Sequence, residues 1–170
     1  MLKNIEGKVA WVFDEPNFDV DLVIGLENIS VRDPEQLKML CMKNYTENFA
    51  QEVEPGDVFV GGENLGYGHP HKGGPESLRY LGLGAIIADS FSPGFYRANS
   101  ITGFPLIACP GISKAVKKGD RIIYDWDKQT ITNETTNTVL ECTPMSQKDR
   151  DIVDCGGLVP YIKKVRMGEA

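Results

Sequence analysis

The apolar positions of this chain change their period along its length, and the changes divide it into elements. Residues 8–13, Lys-Val-Ala-Trp-Val-Phe, form a short apolar run that predicts a strand ending in the polar turn Asp14-Glu15-Pro16-Asn17. Asp33-Pro34-Glu35-Gln36 is a helix start, with an N-cap carboxylate, proline at the first helical position and glutamine at the third. Leu37, Leu40 and Cys41 extend it as an apolar stripe, which predicts a helix running to the neighbourhood of Asn44. Glu54-Pro55-Gly56-Asp57 reads as a turn into a second strand over 58–61. A short helix over 75–81 follows, with Leu78 and Leu81 inward. Then come a strand over 85–88, a helix over 95–102 closed by Gly103, and a strand over 106–109. Such alternation implies parallel strands joined by right-handed crossovers.

The last third is more β-like. Residues 121–126 lead through Asp127-Lys128-Gln129 to 130–132 as a hairpin, and 138–142 is a further strand. Residues 146–154 cap and form a helix, which Cys155-Gly156-Gly157 breaks before Leu158-Val159-Pro160-Tyr161-Ile162. No repeat, linker or low-complexity tract interrupts the chain, so residues 1–170 are expected to form one α/β domain: a parallel βαβαβ unit with additional strands. In such sheets the ligand crevice lies beyond the carboxyl ends of the strands.

Composition narrows the function classes. The 170 residues suffice for a real core. A net charge of −6 and a pI near 5.0 leave no basic face for nucleic acid or anionic lipid. No run approaches the roughly 20 apolar residues of a membrane span. Met1-Leu2-Lys3-Asn4 leads towards the first strand without an apolar signal region, and a cytoplasmic location is expected. Cys41, Cys109, Cys142 and Cys155 form no CxxC pair; they are expected to be reduced and buried, holding no metal. Any iron–sulfur chemistry would then need a second chain to carry the metal.

Both histidines lie in Gly66-Tyr67-Gly68-His69-Pro70-His71-Lys72-Gly73-Gly74, directly after the strand at 58–61. Histidine is the side chain whose ordinary pKa lies nearest physiological pH, hence a usual proton carrier or metal ligand. Glycines at 62, 66, 68, 73 and 74 would permit close ligand approach, or simply make the turns of a long loop. Arg97 and Asn99 would lie near the mouth of the crevice, although Arg97 could equally be a solvated helix residue. Trp11 and Trp126 are most simply core or interface residues.

Seven short motifs occur in order. Asn17-Phe18-Asp19-Val20-Asp21 resembles an N-x-D-T-D turn, followed by the helix start Asp33-Pro34-Glu35-Gln36-Leu37. Pro55-Gly56-Asp57-Val58 and Gly61-Gly62-Glu63-Asn64-Leu65-Gly66-Tyr67-Gly68 are similar to P-G-D and G-x-N-[FLY]-G-x-G blocks. Phe95-Tyr96-Arg97-Ala98-Asn99, Gly103-Phe104-Pro105-Leu106 and Cys155-Gly156-Gly157-Leu158 complete the set. Together, from about Gly7 to Lys164, they resemble the small, swivelling subunit of the isopropylmalate dehydratase and homoaconitase family, homologous to the last domain of aconitase.

The resemblance implies a swivelling β/β/α fold and an aconitase-like large subunit that holds a 4Fe–4S cluster. The activity it implies is that of a heteromeric hydro-lyase, dehydrating, hydrating or isomerising a 2- or 3-hydroxy dicarboxylic acid. After the glycine-rich block the family has Ser-Ser-Arg-Glu-His, the first serine being the base and the arginine a carboxylate anchor. Here Gly68 is followed by His69-Pro70-His71-Lys72-Gly73. By register His69 stands at the serine and is the expected catalytic base, while His71 stands at the arginine. Gly68, His71 and Lys72 are expected substrate contacts, although neither His71 nor Lys72 reproduces the arginine fork. Asp19 and Asp21 resemble the family's paired aspartates; capping and turn formation explain them nearly as well. The family's specificity loop corresponds to Leu26-Glu27-Asn28-Ile29-Ser30-Val31-Arg32, which makes Asn28 and Arg32 substrate candidates and, with Arg97, completes the expected set. Its mixture of Ile29 and Val31 with Arg32, itself explicable as a surface charge, matches neither the apolar loop of isopropylmalate enzymes nor the arginine-bearing loop of homoaconitases; a branched or methylated malate is the expected substrate. Three readings follow: an active hydro-lyase with a histidine base, a related lyase or isomerase with a rebuilt site, and a non-catalytic regulatory subunit. A stand-alone small-molecule binding module is the alternative of a different class.

Overall fold

The strand–helix alternation is realised as a parallel sheet that curls into an antiparallel extension. A computed structural model describes residues 2–69 and 71–168, so Met1 and the Pro70 of the His-Pro-His run lie outside the described residues. In chain order the elements are β1 (Ile5–Phe13), α1 (Pro34–Leu40), α2 (Phe49–Glu52), β2 (Val58–Gly61), α3 (Gly73–Tyr80), β3 (Ala85–Ala88), α4 (Pro93–Asn99), β4 (Leu106–Ala108) and α5 (Ile112–Ala115). The chain continues through β5 (Arg121–Asp125), β6 (Thr130–Asn133), β7 (Thr138–Glu141), α6 (Gln147–Asp154) and α7 (Leu158–Arg166). Three 3-10 turns add Val20–Val23, Leu26–Asn28 and Ser100–Thr102. The sheet order is β4-β3-β2-β1-β5-β6-β7, parallel from β1 to β4 and antiparallel from β5 onwards.

Because β1, β2, β3 and β4 are laid down one beside the next, α1, α3 and α4 all fall on one face. Leu37 of α1, Leu78 of α3 and Phe95 of α4 pack there against Phe59, Ile86, Ala88 and Leu106. On the opposite face Val58, Val60, Ala85, Ile87 and Ile107 pack on Ile112 of α5 and on Ile122, Tyr124 and Ile131 of the antiparallel strands. The curl brings the two sheet edges together. The Thr143 N–H donates to the Ala108 carbonyl at 2.8 Å, and the Cys109 thiol lies 3.8 Å from the Glu141 carbonyl. Trp126 is buried with its indole N–H on the Lys3 carbonyl, and Trp11 is half-buried against Phe13 and Phe49.

The departures from expectation are local. α1 ends at Leu40 rather than near Asn44, because Met42 turns to φ +61°, gives its N–H to the Val23 carbonyl at 2.7 Å and buries its side chain completely. α4 begins at Pro93, where the Ser92 hydroxyl caps the Phe95 N–H; its last turn is 3-10, and Gly103 closes it at φ +79°. Leu81 is half-buried rather than fully inward, and α3 starts two residues early. α2 and α5 were not expected. The segment from Leu158 is a helix with no buried residue. Cys41, Cys109 and Cys142 are buried and unbridged, but Cys155 is only half-buried. No described helix is long and apolar enough to cross a membrane.

Candidate active site at the carboxyl edge of the parallel strands

β1, β2 and β3 end at the same edge, and the loops they release are laced together. The Asn17 N–H donates to the Glu63 carbonyl and the Gly66 N–H to the Phe18 carbonyl, each at 2.8 Å, which ties the loop after β1 to the loop after β2. Leu65 bridges Phe91 in parallel, and the Ser92 hydroxyl donates to the Gly66 carbonyl at 2.7 Å, which ties in the loop after β3. Gly66 is required where it stands. Its φ is +83°, and a Cβ there would lie 2.2 Å from the Phe95 ring.

The 3-10 turn Val20–Val23 hangs beside this lacing, capped by Asp19, whose Oδ1 accepts the Asp21 N–H at 2.9 Å. α3 packs directly on this turn. A Cβ on Gly74 would stand 2.4 Å from the Val20 carbonyl oxygen, so glycine permits an approach that no other residue would. That approach brings together side chains fifty positions apart. His71 Nδ1 lies 2.5 Å from Asp21 Oδ2, with side-chain exposures of 32% and 5%. His71 is the side-chain partner of Asp21 among the described residues. A carboxylate only accepts, so in the neutral ring Nδ1 carries the hydrogen and Nε2 keeps its lone pair.

His69 is exposed and meets His71 edge-on, ring centroids 5.2 Å apart. Asp19 lies under Gly68, where a Cβ would come within 3.1 Å of its Oδ2. Partial burial pushes the Asp19 carboxyl above its usual range and the charge of Asp21 adds to this; the Asp21 N–H and His71 pull the other way. His71 and Lys72 line a cleft of about 160 Å³ that runs between α3 and the end of α4, with Glu76, Arg79, Asn99 and Thr102.

The other expected site residues stand apart from this cleft. The Arg32 guanidinium donates to the carbonyls of Ile29 and Val31 at 2.7 and 2.8 Å, and so ties its own loop. The Asn28 amide donates to the Ile24 carbonyl at 2.8 Å. Arg97 is exposed on α4, and neither it, Asn28 nor Arg32 is among the described residues lining the cleft. Unlike these, Asn99 does line the cleft, where it is buried with its amide donating to the Phe95 carbonyl at 2.9 Å. Sequence reasoning noted Asp21 but gave it no role at the histidines; its signal was the alternation of Asp19 and Asp21 across a turn next to a histidine-bearing loop.

No three His, Cys, Asp or Glu side chains among the described residues gather as a metal site. Cys109 and Cys142 meet across the seam of the curled sheet, where a hydrogen bond from the Cys142 thiol pulls Cys109 down and holds Cys142 up. Two buried thiols do not make the donor set of a cluster. Among the described residues, these thiols do not supply the donors of a 4Fe–4S group.

No protein-family model matches the chain. It is 36% identical over 166 residues to an isopropylmalate/citramalate isomerase small subunit of Methanocaldococcus jannaschii, covering 98% of this chain and 97% of that protein. It is 34% identical over 160 residues to the 3-isopropylmalate dehydratase small subunit of Ruminiclostridium cellulolyticum, covering 94% and 97%. It is 35% identical over 150 residues to the methanogen homoaconitase small subunit of M. jannaschii, covering 88% and 86%. The crystal structure of a 3-isopropylmalate dehydratase from M. jannaschii superposes with a TM-score of 0.85 at 33% identity, covering 97% of this chain and 96% of that one. With this similarity over nearly the whole length and a fold that superposes closely, the chain belongs to the isopropylmalate dehydratase and homoaconitase small-subunit family.

Proposed function

We propose that the chain is the small subunit of a heteromeric hydro-lyase acting on a 2- or 3-hydroxy dicarboxylic acid of the branched or methylated malate class. The observation that carries the reading is the laced loop cluster at the carboxyl edge of β1–β3, which holds His69, His71 and Lys72 together; the register of the resemblance assigns these positions to the family's active-site loop. The partner is an aconitase-like large subunit, whose 4Fe–4S cluster, when bound there, would supply Lewis-acid chemistry for the substrate hydroxyl. Such an enzyme works in the cytoplasm.

The residues of this chain divide the remaining work. The two histidines handle the carbon-bound proton and contact the substrate. Gly68 lets the substrate approach the backbone, and Lys72 offers positive charge to a carboxylate. Asn28 and Arg32 act through the specificity loop they brace, which shapes the space for the substrate side chain. Arg97 adds positive charge on α4, outside the cleft that His71 lines.

The test is anaerobic co-expression with an aconitase-like, cluster-bearing large subunit, followed by a screen of malate-type acids. Turnover of a 2-alkyl- or 3-alkyl-malate is the expected result. Binding without turnover in the assembled, cluster-loaded complex overturns the enzyme reading and favours a stand-alone binding module.

A further inference from the structure

The two histidines of the loop are not equivalent. His69, which the register puts at the family's base, is exposed, and its ring contact is His71. His71, at the position of the anchoring arginine, has one ring nitrogen on a carboxylate that is 5% exposed, while the rest of the ring borders the cleft between α3 and α4. A histidine held on a buried carboxylate has a fixed tautomer and a fixed orientation, which is what a general base needs. We infer that His71, oriented by the buried carboxylate of Asp21, is the general base of this site; the inference rests on the hydro-lyase reading above.

The geometry supports each part. With its Nδ1 hydrogen on Asp21, neutral His71 presents the Nε2 lone pair. In the dehydration direction the substrate C–H bond breaks and its proton passes to Nε2. The C–H electron pair becomes the second bond of the alkene, and the C–O bond breaks with its pair leaving on the hydroxyl. The transferred proton and the departing hydroxide together make the water released. Asp21 stabilises the imidazolium formed on the way, because its charge is already at hand and out of water.

Asp21 is a positioning residue and is itself positioned. Asp19 Oδ1 holds the Asp21 N–H, and Gly74 lets α3 press the histidine loop against the turn that carries Asp21. The charged groups around His71 are Asp19 and Asp21 on the turn, His69 and Lys72 on its own loop, and Glu76 and Arg79 on α3. Lys72 and Arg79 make the cleft attractive to a dicarboxylate, with Glu76 opposing them. Arg79 Nη1 also donates to the Thr102 carbonyl at 3.2 Å, which steadies it at the cleft wall.

The experiment uses the complete complex with its large subunit, cluster loaded, on an acid that the wild type turns over. His71→Gln is expected to lower kcat by about 10²–10⁴-fold, and Asp21→Asn by about tenfold or more, since an amide can favour the wrong tautomer. The Asp21→Asn loss should fall on kcat with little change in KM, alter the kcat–pH profile, and be partly restored in Asp21→Glu. His69→Ala should lower kcat as well, but by a smaller factor than His71→Gln. Wild-type kcat in assembled His71→Gln, or a larger loss in His69→Ala than in His71→Gln, overturns the assignment. An inactive wild-type complex defeats the hydro-lyase reading itself, which is a different outcome. Should a variant fail to assemble, nitrogen-15 NMR of His71 in the wild-type chain decides. A neutral ring carrying its hydrogen on Nδ1, lost as a resonance in Asp21→Asn, supports the dyad, and a hydrogen on Nε2 overturns it.

Discussion

The parallel and antiparallel halves of the sheet use their strands for opposite purposes. β2 and β3 are buried at every position, whereas β6 alternates between half-buried and buried, and β7 is mostly exposed. β1, β2 and β3 must each return to the starting end through a crossover, so each of them releases a loop at the same edge. Those loops carry His69, His71, Lys72 and the Asp19–Asp21 turn. The antiparallel strands turn back directly, and they close the second core against Ile87 and Ile107 without adding a residue to the site. Site chemistry collects where connections are long and anchored, and the hairpin half supplies a wall.

The largest expected effect lies in the core of the parallel half. Phe59 is fully buried beside Phe13, ring centroids 5.7 Å apart, and Phe59→Ala should destabilise by about 3–5 kcal/mol in urea unfolding. Val139→Ala on β7, where the side chain is 64% exposed, should stay within about 0.5 kcal/mol. Equal losses at the two positions would break the comparison.

Next in size is the hinge between fold and site. Gly74→Ala forces a methyl against the Val20 carbonyl, at a cost of about 1–3 kcal/mol in thermal or urea unfolding. It should also lower the activity of the complex by about 10²-fold if α3 moves by about 1 Å, because Asp21 and His71 no longer meet in register. Unchanged kcat in the folded variant would detach the close approach of α3 from the site. A capping change in the carboxyl-terminal segment is smaller. Ser146 accepts the Asp149 N–H at 3.1 Å at the start of α6, and Ser146→Ala should lose about 1 kcal/mol and leave kcat alone.

Much of this was legible because local chemistry and tertiary structure agree. Asp33 and Pro34 start α1, the apolar runs at 58–61 and 85–88 are β2 and β3, and Gly103 closes the turn after α4. The helix end at Leu40 was not legible, because the Val23 carbonyl that captures the Met42 N–H is distant in sequence. α2 and α5 are four residues each, too short to show a period. The histidine loop announced itself by composition. Its partner did not: Asp21 sits fifty residues earlier, and only the packing of Gly74 on the Val20 carbonyl, a property of two backbones, joins them.

The smallest effect is electrostatic and concerns Asp19. Its carboxyl is raised above its ordinary 3.8 chiefly by partial burial, with the charge of Asp21 adding to it. The folded chain therefore holds this proton at a pH where the unfolded chain has released it. The stabilisation is complete below 3.8 and is lost as pH rises through the raised folded value, so stability falls with pH across that window. Asp19→Asn keeps an oxygen for the Asp21 N–H but has no proton to lose. Its melting temperature relative to wild type should therefore rise between acid and neutral pH, once the other carboxylates, common to both chains, cancel. A flat difference would mean that the turn tolerates the Asp19 charge, and that burial around the Asp21–His71 pair is less complete than the packing of α3 on the 3-10 turn requires.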